Sequence, residues 1–499
     1  MSQPPVDLPK RPELPPVDFD WPAETWQQVG RRFLDLAASA STGWSERTPA
    51  PTDVGDVLAR FQDPLPENPI DAERLIERIA GELIPGAAYN GHPRWLAYIT
   101  ASPVPISVLG DLMASALNQN TALWRIAPAA IAIELQTIDW IKELIGFPAA
   151  AEGVFVSGGQ MANIVAQAVF RDAKAPWDMR RYGVRGPSAD SPRLRIYASQ
   201  ELHHCHQQAA ELLGLGHEAI RIVPVDEGYR MRIDALTAMI AEDRARGDLP
   251  IAVVGTAGTV GTGAVDPLAD VLAVARAEDL WFHVDGAYGA FAVLAPSHPD
   301  TLNAIADADS IACDPHKWLY SAIDAGVVLV RQKGLLERSF SFDASYLFTE
   351  SSEREVDIFQ RTPENTRPFR ALKVWLALQT YGRAGYRDMI ERNLQLAAYL
   401  ERLVESTPGL ALAAPRELSI VCWRVEPPGL TDTARLEQLQ TDVIQELELR
   451  GIAMVSNARL SGGRNALRAC IVNFRTGLED VETVVRASAD IAQELFAAR

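Results

Sequence analysis

The segment Asp314-Pro315-His316-Lys317-Trp318-Leu319 sets a lysine between an imidazole and an indole, just after the apolar run Ser310–Cys313. Lysine is rarely buried unless it is paired or used. A desolvated lysine gives up its proton readily and becomes a nucleophile toward carbonyl carbons, the requirement for imine formation. A second segment, Trp281-Phe282-His283-Val284-Asp285-Gly286-Ala287-Tyr288, is an apolar run ending in a carboxylate followed by small residues. Asp285 there either caps the next helix or pairs with the protonated nitrogen of a flat ring, for which Ala287 leaves room. The third segment, Val156-Ser157-Gly158-Gly159-Gln160-Met161-Ala162-Asn163, follows a strand pattern and opens a helical one. Free amides at a helix N-terminus, approached closely through glycine, bind anions. This turn matches neither the Walker loop nor the dinucleotide fingerprint.

These residues need a framework that brings three distant segments together. Short β-rich runs alternate with helical patterns from about residue 91 to 370. The candidate strands are Gly153–Val156, Arg195–Ala198, Ile251–Thr256, Trp281–Val284, Ser310–Cys313 and Gly326–Val330. Most are continuous apolar runs, the pattern of strands buried on both faces. Helical stretches such as Pro267–Ala277 supply crossovers, so the expected fold is an α/β sheet with helices on both faces. In such sheets the carboxyl ends of the strands line the ligand crevice. Beyond residue 371, Tyr386, Ile390, Leu394, Ala397, Leu400 and Val404 mark one face of a long helix. A strand at Ile420–Val425, a helix through Leu436 and Leu447, strands near 452–455 and 468–474 and a final helix then make a small α+β unit. Ahead of the sheet, residues 1–20 read as a Pro-rich extended arm, followed by helices at 22–39 and 70–84. The resulting division is 1–90, 91–375 and 376–499, with no flexible linker at the last boundary.

Composition narrows the partners. The 499 residues carry 47 basic and 65 acidic side chains, a net charge of −18. That balance argues against a protein that coats nucleic acid, and any bound phosphate must be held locally by backbone amides. Cys205, Cys313, Cys422 and Cys470 lie far apart, which suits free thiols in a reducing compartment. No apolar signal core opens the chain and no run approaches the roughly 20 residues needed to span a bilayer. A cytoplasmic protein without a membrane partner is expected. His203, His204, Cys205 and His206 invite a metal reading, but adjacent positions on one helix cannot all face one ion, so no metal is expected.

The three segments, in this order, resemble the group II pyridoxal-phosphate decarboxylases, which include aromatic-amino-acid, glutamate and histidine decarboxylases. The likeness continues through His92-Pro93-Arg94-Trp95, Thr256-Ala257-Gly258-Thr259, Gly263-Ala264-Val265-Asp266, Arg370-Ala371-Leu372-Lys373 and Ile471-Val472-Asn473-Phe474-Arg475-Thr476, spanning roughly residues 20–490. It implies the type I, aspartate-aminotransferase-like fold: a dimer-wrapping N-terminal segment, a large domain with a seven-stranded, mostly parallel sheet, and a small C-terminal domain. It further implies pyridoxal phosphate joined to Lys317 as an aldimine. Asp285 would hold the pyridine nitrogen protonated, with Ala287 and His203 on opposite ring faces. Gly158, Gly159 and Gln160, with Asp314 and His316 nearby, would form the phosphate pocket, although the family often carries serine where Gln160 stands. Thr259 would sit near the ring oxygen, and Trp95, Tyr98 and Trp124 match segments lining the substrate pocket. Tyr346 would lie on a catalytic loop supplied across the interface of a homodimer and protonate the product carbon.

The function so implied is decarboxylation of an L-amino acid, an aromatic one in the leading reading, to amine and carbon dioxide. An oxygen-consuming aldehyde synthase on the same scaffold is the alternative, disfavoured by the presence of Tyr346 and His203. A pyridoxal-binding protein without turnover is the third, disfavoured by Lys317, Asp285 and His203 together.

Overall fold

The computed structural model describes residues 10, 20–49, 53–342 and 355–498. The chain forms two compact units, one from Met1–Glu46 with Pro51–Ala88, the other from Arg47–Ala50 with Tyr89–Arg499. The first is helical: Ala23–Thr42, Val54–Arg60, and a coil from Ala72 through a π turn at Ile79–Leu83 to Gly86. Asp53 and Asp71 cap the second and third helices by accepting backbone N–H groups. Its described residues bury little apolar surface, with Trp26, Phe33, Leu34, Leu58, Phe61 and Leu75 all exposed.

The second unit contains two sheets. The large one has seven strands: β1 (Glu152–Val156), β2 (Leu194–Ser199), β3 (Ile220–Val223), β4 (Leu249–Thr256), β5 (Trp281–Asp285), β6 (Ser310–Cys313) and β7 (Gly326–Val330). Their order is β1-β7-β6-β5-β4-β2-β3. Pairs β2–β3, β2–β4, β4–β5 and β5–β6 are parallel, and only β7 runs against its neighbours. This is the expected mostly parallel sheet, and every residue of β1, β5, β6 and β7 is buried, as their unbroken apolar runs require. Strand β3 escapes a hydrophobic scan because it is a four-residue edge strand with Arg221 inside it.

The small sheet is antiparallel, ordered β10-β11-β9-β8, from β8 (Leu410–Leu412), β9 (Ile420–Val425), β10 (Ser456–Arg459) and β11 (Asn465–Cys470). Its last two strands lie off the expected 452–455 and 468–474. The apolar run before β10 is spent on a different partner: Met454 exchanges backbone hydrogen bonds with Arg94 and Leu96. Helix Ala371–Ser406 crosses between the sheets and is broken only at Gly382, whose φ of 62° suits glycine. After the break, Tyr386, Ile390 and Leu394 enter the large-sheet core, and Leu396, Ala397, Leu400 and Val404 enter the small-sheet core. Among the described residues no helix is long and apolar enough to cross a membrane.

Candidate active site

Parallel strands β4, β5 and β6 end side by side, so Thr256, Asp285 and Asp314 arrive at one edge of the sheet. The helix Gly159–Lys174, which follows β1, begins at the same edge. Between them lies a cavity of about 470 Å³, mouth included, lined by Gly159, Gln160, His203, Asp285, Ala287, Asp314 and Lys317. Ile99, Asn163, Cys205, Thr256, Gly258, Val260 and Tyr288 complete the wall.

Close packing explains the small residues. A Cβ on Gly159 would come within 2.8 Å of Ala287 Cβ and 3.0 Å of Asp314 Oδ2, so only glycine leaves the helix amides open to the cavity. Gly158 lies against His316, whose Nδ1 accepts the Ala325 amide at 3.2 Å. Gly326 of β7 is also obligatory, because a Cβ there would sit 2.4 Å from Gly158 Cα.

Asp285 is buried, and its Oδ2 accepts hydrogen bonds from His206 Nε2 at 2.9 Å and Asn163 Nδ2 at 3.1 Å. Its Oδ1 accepts the Ala287 amide at 3.1 Å. Burial alone would raise its pKa, but His206, His283 and the Ala287 amide outweigh burial and hold it well below the usual carboxylate range. Lys317 Nζ lies 3.0 Å from Asp314 Oδ2. Burial lowers the lysine pKa, yet Asp314 and Asp285 more than offset this and the net shift is upward. The sequence argument that desolvation frees the proton therefore needs correcting, because two carboxylates keep the ammonium charged. Asp314 itself accepts and does not donate, so it serves Lys317 better than it would serve an anion. His203 lines the cavity beside them, its Nδ1 accepting the Cys205 amide at 3.2 Å, and burial lowers its pKa.

Four expected residues stand elsewhere. Thr259 does not line the cavity, since its hydroxyl is held in its own turn by Thr262 at 3.1 Å and the Ala264 amide at 3.1 Å. Thr256 takes the wall position instead. Trp95, Tyr98 and Trp124 do not line it either. Trp95 is buried with Met454 and Ala97 and donates Nε1–H to Thr100 Oγ1 at 3.1 Å. Tyr98 is 63 % exposed, and Trp124 packs on the core under β1 and β2. Tyr346 lies outside the described residues.

The His203–His206 run splits by burial: His204 is exposed, its ring 4.2 Å from that of His203, whereas Cys205 and His206 are buried. Cys205, His206 and Asp285 offer ligand atoms within 4.8 Å of one another. Hydrogen bonds already engage all three, Asn163 donating to Cys205 Sγ as well as to Asp285. Sequence reasoning assigns no role to Asn163 and His283 and weighs His206 only as a metal ligand. Trp281, His283 and Asp285 alternate along β5 and so share a face, the signal that would have found His283.

A family model for the pyridoxal-dependent decarboxylase conserved domain matches residues 55–426. The chain is 32 % identical over 476 residues to an aromatic-L-amino-acid decarboxylase of Bacillus atrophaeus, covering 95 % of this chain and 96 % of that one. It is 26 % identical over 418 residues to a phenylacetaldehyde synthase of a Rosa hybrid cultivar, covering 81 % of each. In fold it is similar to an Oryza sativa TDC crystallised with PLP and tryptamine, with a TM-score of 0.89 at 24 % identity, covering 96 % of this chain and 100 % of that chain.

Proposed function

Since this chain belongs to the pyridoxal-dependent decarboxylase family, we propose that it converts an aromatic L-amino acid to the corresponding amine and carbon dioxide, with Lys317 holding the cofactor. The observation that carries this reading is the convergence of Lys317, Asp285 and the Gly159 turn on one cavity. The cavity suits pyridoxal phosphate. The Gly159 cradle opens a helix N-terminus to an anion, and Ala287 leaves space for a ring. Asp285 is a charged acceptor for a ring N–H, and Lys317 is the amine facing them.

When bound, pyridoxal phosphate supplies an electron sink for the charge left on the α-carbon as carbon dioxide departs. The chain's residues make that sink usable. Asp285 keeps a proton on the ring nitrogen. His203 and Ala287, which line the cavity, would hold the ring between them, a positioning contribution. Asp314, 3.0 Å from Nζ, is placed to take the proton Lys317 must lose before it can attack a carbonyl. Tyr346 delivers a proton to the carbon that lost its carboxylate. The aromatic preference draws on the Bacillus relative, and Ile99 and Val260 give the cavity apolar wall.

A homodimer belongs to the same reading. On the helix Pro105–Leu117, Ser107 and Gly110 are buried, a Cβ on Gly110 falling 2.7 Å from Lys373 Cα. The same helix leaves Val108, Leu109, Leu112, Met113 and Leu117 exposed, apolar surface that a second copy would cover. The exposed aromatics of the N-terminal helices also call for a partner surface.

The test is a panel of L-amino acids scored for carbon dioxide, amine, aldehyde and peroxide. Amine and carbon dioxide in equal amounts from an aromatic substrate are expected. Tyr346→Phe should slow amine release by roughly 10²–10⁴-fold and shift product toward aldehyde, ammonia and peroxide. Aldehyde as the main wild-type product would replace this reading with the synthase one, and a cofactor band with no turnover would remove the enzyme.

A further inference from the structure

An indole nitrogen can only donate a hydrogen bond. Trp281 Nε1–H therefore gives its proton to Ser310 Oγ at 2.8 Å. The Ser310 hydroxyl hydrogen is left for His283 Nδ1, also at 2.8 Å. His283 is kept neutral, its pKa pushed down to about 3 chiefly by burial. Its one hydrogen then sits on Nε2, 2.9 Å from Asn163 Oδ1. That contact turns the Asn163 NH₂ group toward Asp285 Oδ2. A donor-only group on β5 thus sets the direction of every hydrogen bond up to the carboxylate.

A second arm reaches the same oxygen. Gln167 Nε2 donates to the His206 carbonyl at 3.1 Å and lies 3.3 Å from His206 Nδ1. With a donor on Nδ1, the imidazole hydrogen is on Nε2 and points at Asp285 Oδ2, 2.9 Å away. All of these side chains are buried, so water does not compete for the bonds.

We propose that His206 is a positioning residue for Asp285. With Asn163 it saturates Oδ2, so that Oδ1, which among the described residues receives only the Ala287 amide, is the oxygen that takes the cofactor's ring N–H. The inference rests on the pyridoxal phosphate reading above and adds a residue to it. Fixing one carboxylate oxygen with two donors prevents rotation of the group and keeps its charge on the side facing the cavity. The buried His206, three positions after His203 in the sequence, thus supports Asp285.

The experiment compares His206→Met, which fills the space without a donor, with His206→Gln, whose amide reaches toward the same oxygen. Two readouts independent of turnover are taken: the Kd for pyridoxal phosphate, and the ring-nitrogen resonance of bound ¹⁵N-labelled cofactor. His206→Met should weaken binding by about tenfold, the scale of one lost bond to a charged group, and shift the resonance toward the unprotonated position. His206→Gln should preserve most of both. If His206→Met does not fold, Gln167→Leu takes its place: it frees Nδ1 to hold the hydrogen and should give the same shift in direction. An unshifted resonance and unchanged Kd in the variant lacking the donor, or equal losses in the Met and Gln variants, would overturn the inference alone. A wild-type protein that binds no pyridoxal phosphate would overturn the functional reading itself.

Discussion

Asp285 and Asp314 stand at the ends of neighbouring parallel strands, face one cavity and are both almost fully buried. The chain supports them in opposite ways. Asp285 has three fixed donors, none of which is needed elsewhere in the reaction. Asp314 has Lys317 at 3.0 Å, His316 at 3.6 Å and an Oδ1 with no partner among the described residues. A buried charge must be compensated, and the compensator decides what the charge can do. Permanent donors make Asp285 a constant field. A lysine that must bond to something else makes Asp314 a temporary counterion, relieved when the lysine loses its proton.

The largest expected effect removes the mobile partner. Lys317→Ala should abolish amine formation, by roughly 10⁴-fold or more as for loss of a covalent catalyst. Borohydride should no longer fix cofactor on the Lys317 peptide, and label recovered on another lysine would refute the assignment.

Asp285→Asn keeps shape and removes the constant charge, so kcat should fall by about 10²–10³, the scale of losing one preorganised electrostatic group. Stability offers a second readout. Because the folded pKa of Asp285 is depressed, its contribution is present above the ordinary aspartate value of about 3.9 and is lost as pH falls through the folded value. Thermal unfolding followed from pH 7 down to 3 should therefore show a shallower acid loss in Asp285→Asn than in wild type.

Asp314→Asn sharpens the contrast from the other side. Lys317 would lose its nearest carboxylate while remaining buried, so its proton should leave at lower pH than in wild type. Acylation of Lys317 in cofactor-free protein, followed against pH, measures this midpoint. The sign in wild type is the reverse of the Asp285 case. A lysine raised in the folded state stabilises below its ordinary value, and that contribution disappears as pH rises through the folded value. An unmoved acylation midpoint would mean that Asp314 does not govern the lysine.

Gln160→Ser should matter least. Its amide donates to Gln208 Oε1 at 3.0 Å on the exposed side, so cofactor affinity should change by no more than about twofold. A large loss would show that side chains, and not the Gly159 backbone, hold the phosphate.

The contrast also explains what could be read from the sequence. The sheet was legible because strands buried on both faces are apolar throughout, and the lysine, aspartate and glycine segments were legible because each sits where a strand ends or a helix begins. Support for Asp285 was harder to see. His206, Asn163 and Ser310 come from a helix, another helix and a strand far apart in the chain, and only the pairing of Ser310 with His283 across β5 and β6 aligns them. Trp95 misleads for a related reason. Its neighbours Arg94 and Leu96 bond the backbone of Met454, so the ring is drawn into a seam beside the small sheet.

The helix Ala371–Ser406 has a consequence for how the protein melts. Its second arm supplies Leu394 to one core and Leu396 to the other, so neither sheet can shed its core without stripping the same rod. Cutting the chain at residue 376 would leave two fragments each missing part of a shared beam. Heat should therefore take both sheets down in one cooperative step, and the small C-terminal region should be recoverable as a folded piece only when the whole of that rod travels with it.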